Sequence, residues 1–247
     1  MDEKKCASCH PDQAATFAKS THAKAMAVAD DSTVRANFGN AHFEHDGIST
    51  TFSKRDGRFF VRTEGPDGRQ AEFQVKYIFA YEPLQQYLID IGGGRLQALD
   101  IAWDTNKREW FWLGAGKSAK PGSTYHWTGP FYRWNRTCID CHSTNPQANF
   151  RPETGEYKST YVATSIGCQS CHGGGAKHVE WAEAGGDQSA ADFGLAPLDQ
   201  NVCLGCHARR TKLQGGYGPG KAFLDHFSPD LWRPDLYFPD GQILESA

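Results

Sequence analysis

Cys-x-x-Cys-His occurs four times in this 247-residue chain: Cys6-Ala-Ser-Cys9-His10, Cys138-Ile-Asp-Cys141-His142, Cys168-Gln-Ser-Cys171-His172 and Cys203-Leu-Gly-Cys206-His207. Together the motifs use all eight cysteines. Two residues between the thiols let one tight turn reach both vinyl positions of a porphyrin, and the adjacent histidine then lies under the iron. This is the attachment signature of a c-type haem, with two thioethers and one axial imidazole per motif. Four covalently attached haem c groups are therefore expected, on Cys6 and Cys9, Cys138 and Cys141, Cys168 and Cys171, and Cys203 and Cys206. Their proximal ligands would be His10, His142, His172 and His207.

Three rival readings explain less. Two Cys-x-x-Cys pairs can build a tetrahedral zinc site, and one such pair can be a thioredoxin-like redox motif. Neither accounts for a histidine after every pair. With 10 histidines in 247 residues, four such placements by chance have a probability on the order of a few in a million. Disulfides within four short-spaced pairs would close small strained loops.

A chain with 26 Lys and Arg against 29 Asp and Glu has a formal charge of -3. Bis-His ferric haem with ionised propionates adds about one negative charge each, taking the holoprotein to roughly -7. That balance argues against nucleic acid and favours redox partners with a basic docking surface. No run of eighteen apolar residues exists to make a transmembrane segment. Met1-Asp-Glu-Lys-Lys5 leads directly into Cys6 without a signal peptide. Because haem c is attached outside the cytoplasmic membrane, the expectation is an exported, periplasmic or extracellular protein whose signal has been removed.

The motifs divide the chain unevenly. Residues 1–46 form an N-terminal segment with one motif, and residues 117–247 hold the other three. Residues 47–116 read as an antiparallel β-rich insert. Ile48–Phe52 and Phe59–Thr63 flank an Asp56-Gly57 turn, and Ala71–Tyr77 alternates with period two. Gln85–Ile91 and Arg95–Trp103 flank Gly92-Gly-Gly94, and Glu109–Leu113 closes the series. Helices are expected over Asp12–Ala29 and Ala176–Ala184. The fold class predicted is α+β and loop-rich, with mostly helical or irregular haem-binding segments around the β insert.

Removing the proximal residues leaves six histidines for the distal positions. His22, His126 and His178 are preferred, the last because a helix would carry it away from its own motif's iron toward a neighbour. His226 and His45 compete for the fourth place, and His42 trails them. Met26 is a weaker alternative that would raise a haem's potential. Arg133, Arg136, Arg209 and Arg210 flank motifs two and four and suit haem propionates. Trp127, Phe131, Tyr132 and Trp134 are expected against porphyrin faces.

Several stretches resemble bacterial multihaem cytochromes of the cytochrome c-554 type. They are Ser20-Thr-His-Ala-Lys-Ala-Met26 after motif one, Tyr125-His-Trp-Thr-Gly129, and Cys138-Ile-Asp-Cys-His-Ser-Thr144. Two more are Cys168-Gln-Ser-Cys-His-Gly-Gly-Gly-Ala-Lys-His-Val-Glu-Trp181 and Cys203-Leu-Gly-Cys-His-Ala-Arg-Arg210. The resemblance implies periplasmic electron transfer, haems in close pairs and mostly bis-His iron, with one five-coordinate haem in some relatives. It also implies His22, His126 and His178 as distal ligands. Such relatives continue past a segment like Asp240-Gly-Gln-Ile-Leu244 into a further Cys-x-x-Cys-His and often into tetratricopeptide repeats, which are not seen here.

The leading functional expectation is a tetrahaem cytochrome relaying electrons between redox partners, without catalysis of its own. The alternative is a multihaem oxidoreductase of the nitrite, hydroxylamine or tetrathionate class using one five-coordinate haem. A third reading is a self-associating subunit of an extracellular cytochrome filament.

Overall fold

A computed structural model describes residues 1–114, 118–187, 189 and 192–230. The Asp240–Leu244 segment and the expected boundary at residue 116 lie outside them. The chain opens with α1 (Glu3–Cys9) and α2 (Pro11–Phe17), where Pro11 starts the second helix at a position that needs no N–H. The expected helix over Asp12–Ala29 ends at Phe17. Ser20 Oγ accepts the Ala23 N–H at 3.2 Å, a 3-10 turn covers His22–Lys24, and β1 (Met26–Val28) joins the sheet. The backbone from Met26 is hydrogen-bonded to a neighbouring strand, which outweighs the helical preference of its alanines.

Eight more strands follow: β2 (Gly39–His45), β3 (Ile48–Arg55), β4 (Arg58–Glu64), β5 (Gln70–Phe79), β6 (Leu84–Asp90), β7 (Leu96–Ala98), β8 (Ile101–Asp104) and β9 (Glu109–Trp112). The path β2-β3-β4-β5-β6-β8-β9 forms one antiparallel sheet, with β1 beside β5 and β7 beside β6. This overturns the expected α+β, loop-rich fold of mostly helical or irregular haem-binding segments around a β insert, because one large antiparallel sheet dominates, with 30% strand against 23% helix. Two physical reasons account for it. The alternation starts earlier than residue 47, since Asp46 and Gly47 (φ 50 and 77) make a second two-residue hairpin turn. The helices of the motif-bearing parts are also short, four to eight residues each.

The sheet is nearly closed into a barrel, and aromatic side chains seal the seam between β2 and β9. Trp110 stacks on Phe52 with centroids 3.5 Å apart, and Trp112 stacks on His45 at 4.1 Å. Trp110 Nε1 also donates to the Asn37 carbonyl at 3.3 Å. Phe38, Phe52, Val61, Tyr87, Ile89 and Leu99 pack inside, together with Trp127 from beyond β9.

The outer face carries a second core of Met26, Phe79, Leu88, Ala98, Trp134, Cys138 and Ile139. Strict period two would put Val75, Tyr77 and Phe79 on one face. A register shift between Val75 and Tyr77 breaks it, so Val75 and Ile78 face inward while Tyr77 and Phe79 turn out to meet motif two. Trp127 and Trp134, expected against porphyrin, are instead core residues with 3% and 0% exposure.

Two buried amides fasten the motif-two segment to the sheet. Gln97 Nε2 donates to the carbonyls of Trp127 and Gly129 at 2.6 and 2.9 Å, and its Oε1 accepts from Arg133 Nε. Asn135 Oδ1 accepts the Leu96 N–H at 2.8 Å, and its Nδ2 donates to the Gly94 carbonyl at 3.1 Å. Gly94 (φ +67) has no room for a side chain, because a Cβ there would collide with the Tyr157 carbonyl. Replacing Gln97 by Leu strands two buried carbonyls and Arg133, at about 1–3 kcal/mol per unsatisfied group. Urea denaturation of Gln97→Leu should therefore show a markedly lower midpoint at unchanged slope; an unchanged midpoint would refute this fastening role.

Candidate haem site

Each motif folds as a single helical turn. His10, His142 and His172 donate their backbone N–H to the carbonyls of Cys6, Cys138 and Cys168 at 2.9, 3.1 and 2.9 Å. Motif two occupies α4 (Ile139–His142), after α3 (Trp134–Thr137), and motif three occupies α5 (Gln169–His172). The helix α6 (Ala176–Glu183) follows, and motif four ends α7 (Gln200–His207), which Asp199 caps through the Asn201 N–H at 2.8 Å. A turn of this kind places the first cysteine and the histidine, four residues apart, on one face.

The structure brings the motifs together. Cys6 and Cys168 approach within hydrogen-bond reach beside Glu3. Helix α5, with Cys171, packs against α7, with Cys203, and the thiols of Cys141 and Cys206 share a hydrogen bond. That last bond holds Cys141 below the ordinary thiol range and pushes Cys206 up. Burial raises Cys138 to about 11; burial and Glu3 raise Cys168 to about 12. Motif three is also tied to the N-terminus, because Glu3 accepts the backbone N–H groups of Cys168 and Gln169 at 3.0 and 3.1 Å. This contact spans 165 residues, and nothing in the local sequence around Glu3 signals it.

Two histidine pairs bring their rings close together. His10 and His178 have ring centroids 6.2 Å apart at an interplanar angle of 22°, and His22 and His207 are 6.0 Å apart at 73°. A metal with imidazole nitrogens at about 2.0 Å on each side, plus about 1.1 Å from nitrogen to ring centroid, needs a separation of about 6 Å. Both pairs meet that spacing. Histidine ligands are usually fixed through their other ring nitrogen. His142 Nδ1 donates to the Ala25 carbonyl at 3.0 Å, His178 Nδ1 to Phe193 at 2.9 Å and His226 Nδ1 to Gly215 at 3.0 Å. Each of these leaves Nε2 for a metal. A cavity of about 1240 Å³ runs between motifs two, three and four, lined by His22, Cys141, His142, Cys171, Cys203 and His207 among others. It exceeds the roughly 300–1,000 Å³ of a usual small-molecule pocket. The residues thus fit covalently attached porphyrins with histidine-ligated iron.

The other candidates lie elsewhere. His126 is buried at one end of the barrel, where its Nδ1 accepts the Thr128 N–H at 3.3 Å. Its Nε2 is 3.5 Å from Glu64 Oε1. Burial holds His126 below the usual histidine range, opposed by the charges of Asp100 and Glu64. Burial likewise raises Asp100, which accepts the Trp112 Nε1–H at 3.1 Å. His45 stacks on Trp112, with Nε2 3.6 Å from Asp46. His42 is an exposed residue of β2. Met26 is buried in the outer core, 1% exposed. Arg136 is exposed, Arg133 is engaged by Gln97, and Arg209 Nε lies 3.3 Å from Asp230.

A sequence-family model described as cytochrome c554 and c-prime matches residues 5–50 and 117–173. The match takes in motifs one to three and passes over most of the barrel. The crystal structure of outer cell wall cytochrome OcwA is similar in fold, with a TM-score of 0.64 at 18% identity over 98% of this chain. The chain spans about half of that protein's length, 48%. No curated protein matches the sequence. With four Cys-x-x-Cys-His turns packed together and histidines at iron-spanning distance, the chain is similar, over the matched segments, to c-type cytochromes of the cytochrome c554 family.

Proposed function

We propose that the chain is a tetrahaem electron relay with mostly bis-His iron. The observation that carries this reading is the pair of histidine separations near 6 Å, each joining one motif histidine to one outside any motif. His178 would be the distal partner of His10, and His22 that of His207. His226 is the third distal candidate, because the Gly215 carbonyl orients it on the side of motif four. His45 and His126 are not carried into this assignment, since they face Asp46 and Glu64 in the barrel.

The contacts between attachment turns order the motifs as one, three, four, two. When bound, each haem supplies a one-electron Fe(III)/Fe(II) couple. The chain's own residues hold the attachment turns in contact and fix the ring orientation of the histidines. They also bury motif two against the sheet. Electrons would enter and leave at the two ends of this order, through partners with basic docking surfaces, in the periplasm or outside the cell.

One observation favours the enzymatic alternative. Among the described residues only three imidazoles outside the motifs are placed to serve four irons. A five-coordinate iron at the remaining site would supply a position for a small substrate.

Intact mass and a pyridine haemochrome assay should count four haems per chain. Fewer would remove the tetrahaem reading. His178→Met should move one haem potential upward by well over the 59 mV of a tenfold one-electron ratio; an unchanged titration would remove His178 from the ligand set. His126→Gln should leave the visible spectrum unaltered but change stability against pH. A histidine whose native pKa is lowered makes the fold lose stability as pH falls below about 6.5, levelling off below the native value. The variant should lack that component. A lost or shifted haem band would instead mark His126 as a ligand.

A further inference from the structure

We propose that Arg210 sets the reduction potentials of the haems on motifs two and four together, as a fixed positive charge lodged between their attachment turns. This rests on the tetrahaem reading above. Arg210 lies on β12 (Arg210–Lys212), which follows β10 (Phe150–Arg151) and β11 (Glu156–Tyr157). It pairs with β13 (Phe227–Pro229), which follows α8 (Phe223–His226). The guanidinium does not reach outward as a free surface cation. Its Nε donates to the Gly205 carbonyl at 2.7 Å, and Nη2 donates to the same oxygen. Nη2 is also 3.9 Å from Cys141 Sγ, and the group lies over the Phe227 ring at 3.8 Å. Gly205 stands between the two cysteines of motif four, and Cys141 is the second cysteine of motif two. One cation therefore touches both turns.

Asp140 is matched by Lys212, with Nζ 2.7 Å from Oδ2, and Asp230 is matched by Arg209. Among the described residues, no carboxylate lies within ion-pair distance of Arg210. A guanidinium does not deprotonate in proteins, so the charge persists at every working pH. One-electron reduction of Fe(III) to Fe(II) removes one positive charge from the haem and changes no bond or proton at Arg210. A nearby fixed cation repels the oxidised form more strongly and so raises the potential. The effect is larger here than in bulk water, because Cys141 and Cys206 beside it are half-buried. The guanidinium touches Gly205 of motif four and Cys141 of motif two, so motifs one and three should feel it much less.

Spectroelectrochemical titration of the haem-loaded full chain, with EPR to resolve individual haems, tests this on Arg210→Gln and Arg210→Lys. In Arg210→Gln two of the four potentials should fall, with an oxidised-to-reduced ratio at fixed potential raised about tenfold, which is about 59 mV for one electron. Arg210→Lys should keep both near the starting values, and the Arg210→Gln shift should be the same at pH 6 and pH 9. Four unchanged potentials would overturn the proposal, as would an equal shift of all four or a Lys variant as low as Gln. Lys212→Gln gives a second route if Arg210→Gln does not fold. It leaves Asp140 unmatched and should lower the motif-two potential, and no shift there would also overturn the electrostatic account. Intact mass of each variant counts its haems, so loss of a haem is distinguished from loss of a charge effect.

Discussion

In the proposed relay two imidazoles that share one iron face each other at about 6 Å, and meeting that distance twice would bind remote parts of this chain together. An iron shared by His10 and His178 would hold the first helix against the segment after motif three. One shared by His207 and His22 would hold motif four against the short turn that precedes β1. Other long-range contacts lie beside these pairs. Glu3 caps the turn of motif three across 165 residues, and Lys212 reaches Asp140 across 72. In the proposed relay, coordination geometry therefore acts as tertiary structure, doing for the motif-bearing segments what an apolar core does elsewhere.

The barrel supplies the rigid part. Its inner face is closed by aromatic stacking, and its outer face is a platform for motif two. Cys138 and Ile139 enter the same apolar cluster as Phe79 and Leu88, and His142 meets the Phe79 ring edge-on at 5.2 Å while bonding Ala25 just before β1. The register shift in β5 makes this two-faced packing possible, because it redirects Tyr77 and Phe79 away from the interior. Sheet register and the placement of motif two are thus one problem. A change that slips β5 by one residue would turn the platform inward.

The sequence shows the attachment motifs and most of the hairpins directly, because both depend on short-range chemistry. Asp56-Gly57 adopts the left-handed turn its residues favour, with φ 49 and 71, and strands flank it as expected. Other features depend on distant partners and are not visible. Met26–Val28 looks helical until β5 pairs with it. His126 lies twelve residues before Cys138, and its ring meets Glu64, 62 residues earlier, which no local spacing signals. Arg210 reads as one of several propionate candidates, but its guanidinium is engaged by Gly205 and Phe227. Spacing along the chain locates where a haem is attached. It does not show which imidazole arrives from the other side.

Anomalous diffraction at the iron edge from crystals of the haem-loaded protein tests the central claim most directly. It should show four iron peaks in the motif-bearing half, one centred between the rings of His10 and His178 and one between those of His22 and His207. Fewer than four peaks, or irons displaced from both of these midpoints, would contradict the account.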